Sequence, residues 1–173
     1  MDFIEKAKAG DQEAFIELIR QNGQSLYKTA RAILRNDDDA ADAIQETILV
    51  CYRDLGKLRQ DRYFKTWLTR ILINQCYDML SQRRNTQSLE DCEASSCDFH
   101  DDERLDLTQC IRSLPENYQL ILVLYYVDGF SIREIAKIMK LNANTVKTRL
   151  SRGRERLKCL YREQEGECVH GCL

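Results

Sequence analysis

The chain has 173 residues, 43% hydrophobic and 31% charged, with a formal net charge of −2, a balance that excludes a disordered chain and fits a globular one. A single Pro, seven Gly and long stretches of helical period without strand-like alternation predict an all-α protein of one domain or two small ones. No segment approaches the roughly 20 apolar residues of a membrane span, and MDFIEKAKAG at the start lacks the pattern of a secretory leader, so a cytoplasmic protein is expected.

In chain order, a first helix is predicted over 11–35, capped by Asp11, with Phe15, Ile19, Leu26, Ala30 and Ile33 as its apolar stripe and a weak point at Asn22-Gly23. Asn36-Asp37-Asp38-Asp39 breaks the pattern and supplies acidic residues for the next helix start, where the dipole favours them. The second helix, 40–58, carries Ile44, Ile48, Cys51, Leu55 and Leu58 at alternating steps of four and three, the seam of a helix packed on helices. Its other side shows Asp39, Asp42, Gln45, Glu46, Arg53 and Asp54; periodicity alone assigns that face to solvent.

After a polar stretch at 59–63, a third helix over 64–84 buries Phe64, Leu68, Ile71, Leu72, Gln75 and Met79. Tyr63 and Trp67 interleave with Arg59, Arg62, Lys65 and Arg70, and Asn74 follows on the same helix. Aromatic rings that stack bases, beside cations that track a backbone, suit single-stranded nucleic acid; Trp67 taken alone reads better as core. Arg83-Arg84 gives the helix a basic end that complements its dipole and could meet phosphate. Residues 85–104 then hold seven acidic groups and one basic, a net of −6 with little apolar content, and are predicted to be a flexible linker.

A helix follows over 105–113, with Leu107, Ile111 and Leu114 on one side. Pro115 opens another, with Leu120, Val123, Leu124 and Val127 as its core stripe and Asp128-Gly129 as its end. The segment 131–157 reads as two short helices joined by a tight turn. Ser131 and Glu134 form a capping box, Ile132, Ile135, Ala136 and Met139 recur at helical spacing, and Asn142 caps the second helix. In that helix Val146, Leu150, Gly153 and Leu157 make one buried stripe, while Asn144, Lys147, Thr148, Ser151 and Arg152 lie opposite. Amides and hydroxyls for base edges, with Lys and Arg for guanine or phosphate, are what a helix needs in a DNA major groove. From 131 to 162 ten basic residues face two acidic ones, a local net of +8 in a chain that is −2 overall. A basic amphipathic helix can also lie on a membrane surface, but a capped two-helix unit with an internal turn favours the groove.

Eight cysteines invite a metal or disulfide reading. Cys51, Cys76, Cys110 and Cys159 read as reduced, buried thiols; Cys92, Cys97 and His100, and Cys168, His170 and Cys172, are candidate pairs in polar stretches. No CxxC occurs, so no metal or other cofactor is expected. With no adjacent base or ligand cluster, enzymatic chemistry is not expected either.

Three stretches together resemble the extracytoplasmic-function (ECF) group of bacterial RNA polymerase sigma factors. Asp39-Ala40-Ala41-Asp42-Ala43-Ile44-Gln45-Glu46-Thr47 is similar to the DAxDxxQET signature of the first sigma domain, and Phe64-Lys65-Thr66-Trp67-Leu68 with Asn74 to its FxxWLxxIxxN run. Leu114-Pro115, Glu134-Ile135-Ala136, Thr145-Val146-Lys147-Thr148-Arg149-Leu150 and Arg152-Gly153-Arg154 are similar to the LP…EIA…TVKSRLxRAR pattern of the last. The resemblance implies two helical domains, 1–84 (sigma region 2) and 105–162 (sigma region 4), joined by the acidic linker 85–104 and followed by a tail, 163–173. It implies core RNA polymerase as partner, with Asp39, Asp42, Gln45 and Glu46 docking on the clamp helices of the largest subunit and the second subunit's flap as a further contact. Arg59, Arg62, Tyr63, Lys65, Trp67, Arg70 and Asn74 become the set for the −10 element as a single strand. Asn144, Thr145, Lys147, Thr148, Ser151 and Arg152 become the −35 set, with Arg149 and Arg154 toward phosphates. A cognate anti-sigma factor, in the family often membrane-anchored, is the implied regulator, with no insertion of this chain itself into the membrane. Ile48 departs from the family's usual Phe and Gly153 from its usual Ala. The competing reading is a self-sufficient helix-turn-helix repressor or activator binding an operator as a dimer, although no heptad seam follows Leu157.

Overall fold

The computed structural model describes residues 2–87, 110, 111 and 113–164, and every regular element among the described residues is helical. The chain divides into two compact units, Met1–Ala94 and Ser95–Leu173. The first holds α1 (Asp2–Lys8), α2 (Gln12–Leu34), α3 (Asp37–Asp54) and α4 (Phe64–Gln87). Here α2, α3 and α4 pack on one another and α1 packs on α2. The sequence reading did not anticipate α1.

Local chemistry explains the element ends. The Asp11 carboxylate accepts from the Ala14 amide at 3.1 Å and starts α2, which runs unbroken past Gly23 and stops at Arg35, in left-handed backbone with φ 58°. Asn36 then accepts from the Asp39 amide at 3.1 Å, placing Asp37, Asp38 and Asp39 in the first turn of α3, where their charge meets the positive helix end. Helix α3 therefore begins before residue 40, and it gives way after Asp54 to a 3-10 turn, Leu55–Lys57.

Leu26, Leu68 and Leu72 are sealed in the core, and Thr29, Ala30, Ala40, Ala43, Thr47, Cys51 and Cys76 have no exposure at all. Small side chains along α3 let the neighbouring helices approach closely, and Thr47 satisfies its buried hydroxyl by donating to the Ala43 carbonyl at 2.7 Å. Of the expected seams, Cys51 and Leu55 of the α3 stripe and Phe64, Leu68 and Leu72 of α4 are buried as predicted, and at other positions burial shifts to a neighbour. Ala43 and Thr47 are buried where Ile44 and Ile48 are half-buried, and in α4 Ile73 and Cys76 are buried where Ile71, Gln75 and Met79 are half-buried.

The second unit contains α5 (Glu116–Leu122), a π turn (Val123–Val127), α6 (Ile132–Met139) and α7 (Ala143–Gln164). Ahead of α5, Cys110, Ile111 and Ser113 are helical, and Leu114 is buried. Pro115 is the cap of α5 rather than its first helical residue. The π turn closes with the Asp128 amide donating to the Val123 carbonyl at 3.1 Å. Its wider spacing turns Val127 out of the expected core stripe to 47% exposure, while Leu120, Ile121, Leu122 and Leu124 stay buried.

Cys51, Cys76 and Cys110 are free and buried. Burial pushes the Cys51 thiol up to about 12, and burial against a small opposing backbone hydrogen bond does the same to Cys76, also to about 12; both are inert packing groups. Cys159 departs from the expectation of a reduced thiol, since it is disulfide-bonded. Among the described residues no group of three His, Cys, Asp or Glu could hold a metal, and no helix is long and apolar enough to cross a membrane. Most of the acidic linker, the two Cys/His stretches and the end of the tail lie outside the described residues; helix α4 continues through 85–87.

Candidate nucleic-acid interface

In the second unit the geometry begins with the cap of α6. The Ser131 amide donates to the Glu134 carboxylate at 2.9 Å, and the Glu134 amide donates back to the Ser131 hydroxyl at 3.3 Å, the reciprocal pair the sequence predicts. Ile135, Ala136 and Ile138 are buried. Lys140, at φ 53°, stops α6 by donating to the Ala136 carbonyl, and the Asn142 side chain accepts from the Asn144 amide at 2.9 Å to start α7. Two caps and one left-handed residue thus fix the angle at which α7 leaves the turn.

Val146, Leu150 and Gly153 hold α7 to the unit's core. Gly153 marks the closest approach, since a Cβ there would meet Leu122 at 3.4 Å and Tyr118 at 3.5 Å. On the other side Asn144, Lys147, Thr148, Ser151 and Arg152 are exposed, and Thr145 and Arg149 are half-buried on its flank. Thr148 donates its hydroxyl to the Asn144 carbonyl at 3.0 Å, leaving its oxygen as an acceptor. Glu155 continues the stripe through Asn144, Thr148 and Ser151, with Ser151 3.5 Å from its carboxylate; the sequence reading counted it only as charge. Arg154 is exposed, its guanidinium 5.8 Å from the Tyr125 ring and 5.7 Å from the Tyr126 ring, with Arg156 5.0 Å from Tyr118. These ring contacts lie on the two flanks of the buried stripe that includes Gly153, since positions two apart in a helix point in different directions.

In the first unit Tyr63, Trp67, Arg70 and Asn74 are spaced by four, three and four along one stripe of α4 and its lead-in. Tyr63 ends a 3-10 turn, Asp61–Tyr63. Arg62 lies over the Tyr63 ring at 4.6 Å and donates to the Gln60 side chain at 3.0 Å. Trp67 is half-buried, 6.2 Å from the Phe64 ring, so it is neither sealed core nor wholly free. Arg59, Arg62, Lys65, Arg70 and Asn74 are exposed. One arrangement therefore presents aromatic faces between cations, and an open cleft of about 660 Å³ lies beside it, lined by Glu5, Lys8, Arg59, Gln60, Asp61 and Arg62.

The α3 face is divided. Asp42, Gln45 and Glu46 are exposed, and the same stripe continues through Leu49, 63% exposed, and Tyr52, 58% exposed. Tyr52 meets Phe15 edge-on at 5.1 Å. The sequence reading missed this apolar extension because Leu49 and Tyr52 break no period. Asp39, also expected on that face, is instead buried at 5% exposure, and its carboxylate is gripped through both oxygens by the Arg83 guanidinium of α4.

Family models agree with both units. Residues 18–86 match "Sigma-70 region 2", and residues 104–157 match "Sigma-70, region 4". The ECF RNA polymerase sigma factor SigM of Mycobacterium tuberculosis is 32% identical over 152 residues, covering 86% of this chain and 78% of its own. SigW of Bacillus subtilis, also an ECF sigma factor, is 30% identical over 179 residues, covering 92% and 95%.

This chain belongs to the ECF RNA polymerase sigma factors. Among solved structures, CnrH in complex with the cytosolic domain of CnrY superposes with a TM-score of 0.70 at 25% identity, covering 96% of this sigma factor and 97% of CnrH. The sigma factor RpoE of Bartonella quintana, bound to the anti-sigma factor NepR, shares the fold with a TM-score of 0.75 at 24% identity, over 84% and 95% of the two chains. The all-α, two-domain expectation and the ECF resemblance both stand, and the protein is an alternative transcription initiation factor.

Proposed function

We propose that this sigma factor divides its work between its two units: residues 1–84 bind core polymerase and capture the −10 element as a single strand, and residues 105–162 read the −35 element as duplex. The observation that carries the reading is the presence in one chain of both sigma regions, 18–86 and 104–157. Asp42, Gln45 and Glu46 form the polar part of the clamp-helix docking face, and exposed Leu49 and Tyr52 its apolar part; Asp39 supports that face from beneath. An apolar centre beside charged groups is the composition of a protein interface.

On the DNA side, Tyr63 and Trp67 offer stacking surfaces while Arg59, Arg62, Lys65 and Arg70 follow the phosphates and Asn74 offers amide hydrogen bonds. Extruded bases gain contacts unavailable in the duplex, which favours opening. Asn144, Thr148, Ser151 and Arg152 face base edges, with Thr145, Lys147, Arg149 and Arg154 positioning the backbone. Regulation by an anti-sigma factor, with the second subunit's flap as a further polymerase contact, completes the proposal. It is supported by the protein partners bound to CnrH and to the B. quintana RpoE. The setting is the cytoplasm, where polymerase and promoters are, with membrane attachment left to the anti-sigma factor.

Transcription in vitro tests the assignment. Core polymerase supplied with this chain should initiate at specific promoters on genomic fragments, and an anti-sigma partner should abolish that initiation. No specific initiation, together with a dimeric footprint by the chain alone, would establish the self-sufficient regulator instead.

A further inference from the structure

The family match begins at residue 18, so α1 lies outside it, yet α1 reaches the promoter-reading span. Lys8, in the last turn of α1, donates its ammonium to the Leu58 carbonyl at 2.7 Å and to the Asp61 carboxylate, across 50 and 53 positions of sequence. The two side chains are 23% and 22% exposed, so the pair is shielded more than a surface ion pair. Its acceptors bracket Arg59 and Gln60 and immediately precede Arg62 and Tyr63. Two short-range hydrogen bonds shape the turns, Leu58 amide to Leu55 carbonyl and Tyr63 amide to Gln60 carbonyl, each 3.1 Å, and buried Leu55 anchors the first turn by packing. Lys8 adds a polar tie from α1 to the segment between the turns, and α1 supplies Glu5 and Lys8 to the wall of the cleft beside Arg59 and Arg62.

We propose that Lys8 is a positioning residue for −10 recognition, holding the 58–63 span in the conformation in which Arg62 and Tyr63 receive the strand, so that α1 belongs to the promoter-reading apparatus. The proposal rests on the −10 reading of that span. A loop held ready loses less freedom when the strand arrives, and the gain falls on strand capture alone.

The test uses the full chain with core polymerase. Lys8→Met keeps the aliphatic stem and removes the donors; Lys8→Arg retains charge and donors. Lys8→Met should slow opening of a duplex promoter about tenfold and flatten the preference among single-base −10 variants by a similar factor, with polymerase affinity and −35 preference unchanged. Lys8→Arg should recover most of the loss. An unchanged −10 preference in Lys8→Met overturns the proposal, as does a uniform loss that tracks a lowered unfolding temperature. Where Lys8→Met folds poorly, Asp61→Asn, which leaves the Leu58 bond in place, must still flatten the −10 preference or the proposal fails. Arg62→Ala and Tyr63→Ala separate the two layers. If they lose −10 discrimination and Lys8→Met does not, only the role of Lys8 falls; if none of the three loses it, the −10 reading of the span falls as well.

Discussion

Helix α7 presents its −35 candidates from a comb whose start is fixed by Ser131, Glu134, Lys140 and Asn142, all in the same two-helix segment as the side chains they orient. The −10 candidates sit instead on the link at 59, the 3-10 turn Asp61–Tyr63 and one side of α4, and a tie to that span comes from Lys8, some fifty positions upstream. The contrast fits the two proposed tasks. A duplex offers a fixed pattern of base edges, which a preset helix can match. An extruded strand brings its own freedom, so its receiver needs stacking faces and cations held in place by the surrounding fold.

Loss of both aromatic surfaces should break this division most visibly. In Tyr63→Ala/Trp67→Ala each substitution should cost about 1–3 kcal/mol of strand capture, read as weaker holoenzyme binding to a single-stranded −10 oligonucleotide with −35 duplex binding retained. Equal losses on both elements would refute the division. Next is the contrast within α3. Arg83→Ala leaves the buried Asp39 carboxylate without its partner, and should lower the unfolding free energy by about 2 kcal/mol, the half-exposed guanidinium keeping the cost below that of a sealed pair. Asp42→Ala, on the exposed face, should leave stability within about 0.5 kcal/mol and weaken polymerase binding; denaturant melts beside polymerase titrations separate the two. Arg152→Ala should cost about 1–2 kcal/mol at one −35 position and relax preference there while −10 preference holds, as binding to −35 variants would measure. Gly153→Ala is the smallest and opposite in sign. The new methyl meets Leu122 at ordinary contact distance and the helix gains propensity, so stability should rise by about 0.5 kcal/mol with DNA binding intact.

What the sequence disclosed follows the range of the forces involved. The 131–157 unit was legible because capping boxes, turn residues and apolar period are local, and its hydrogen bonds are those expected. Helix α1 was not, because seven residues cannot hold a helix without the packing that α2 provides. The burial of Asp39 depends on Arg83, 44 positions away, and no period marks such a partner. The seams of α3 and α4 are legible at Cys51, Leu55, Phe64, Leu68 and Leu72, but at Ile44, Ile48 and Ile71 apolarity points to the wrong neighbour, because close helix approach selects Ala43, Thr47 and Cys76. The candidate docking stripe was half legible: its acidic start carries a signature, while Leu49 and Tyr52 emerge only when their exposure is seen.

The π turn at Val123–Val127 has a consequence for how this helix tolerates changes in length. Relative to an α-helix it holds one surplus residue, stored where the Asp128 amide reaches back to Val123. Deleting a single residue inside the turn would let the backbone relax to ordinary helical spacing, with Leu120 still buried on one side and the Ser131 cap delivered at nearly the same place on the other. A deletion in α7 has no such slack: every side chain beyond it would swing by about a quarter of a turn, breaking up the stripe proposed to read the −35 duplex.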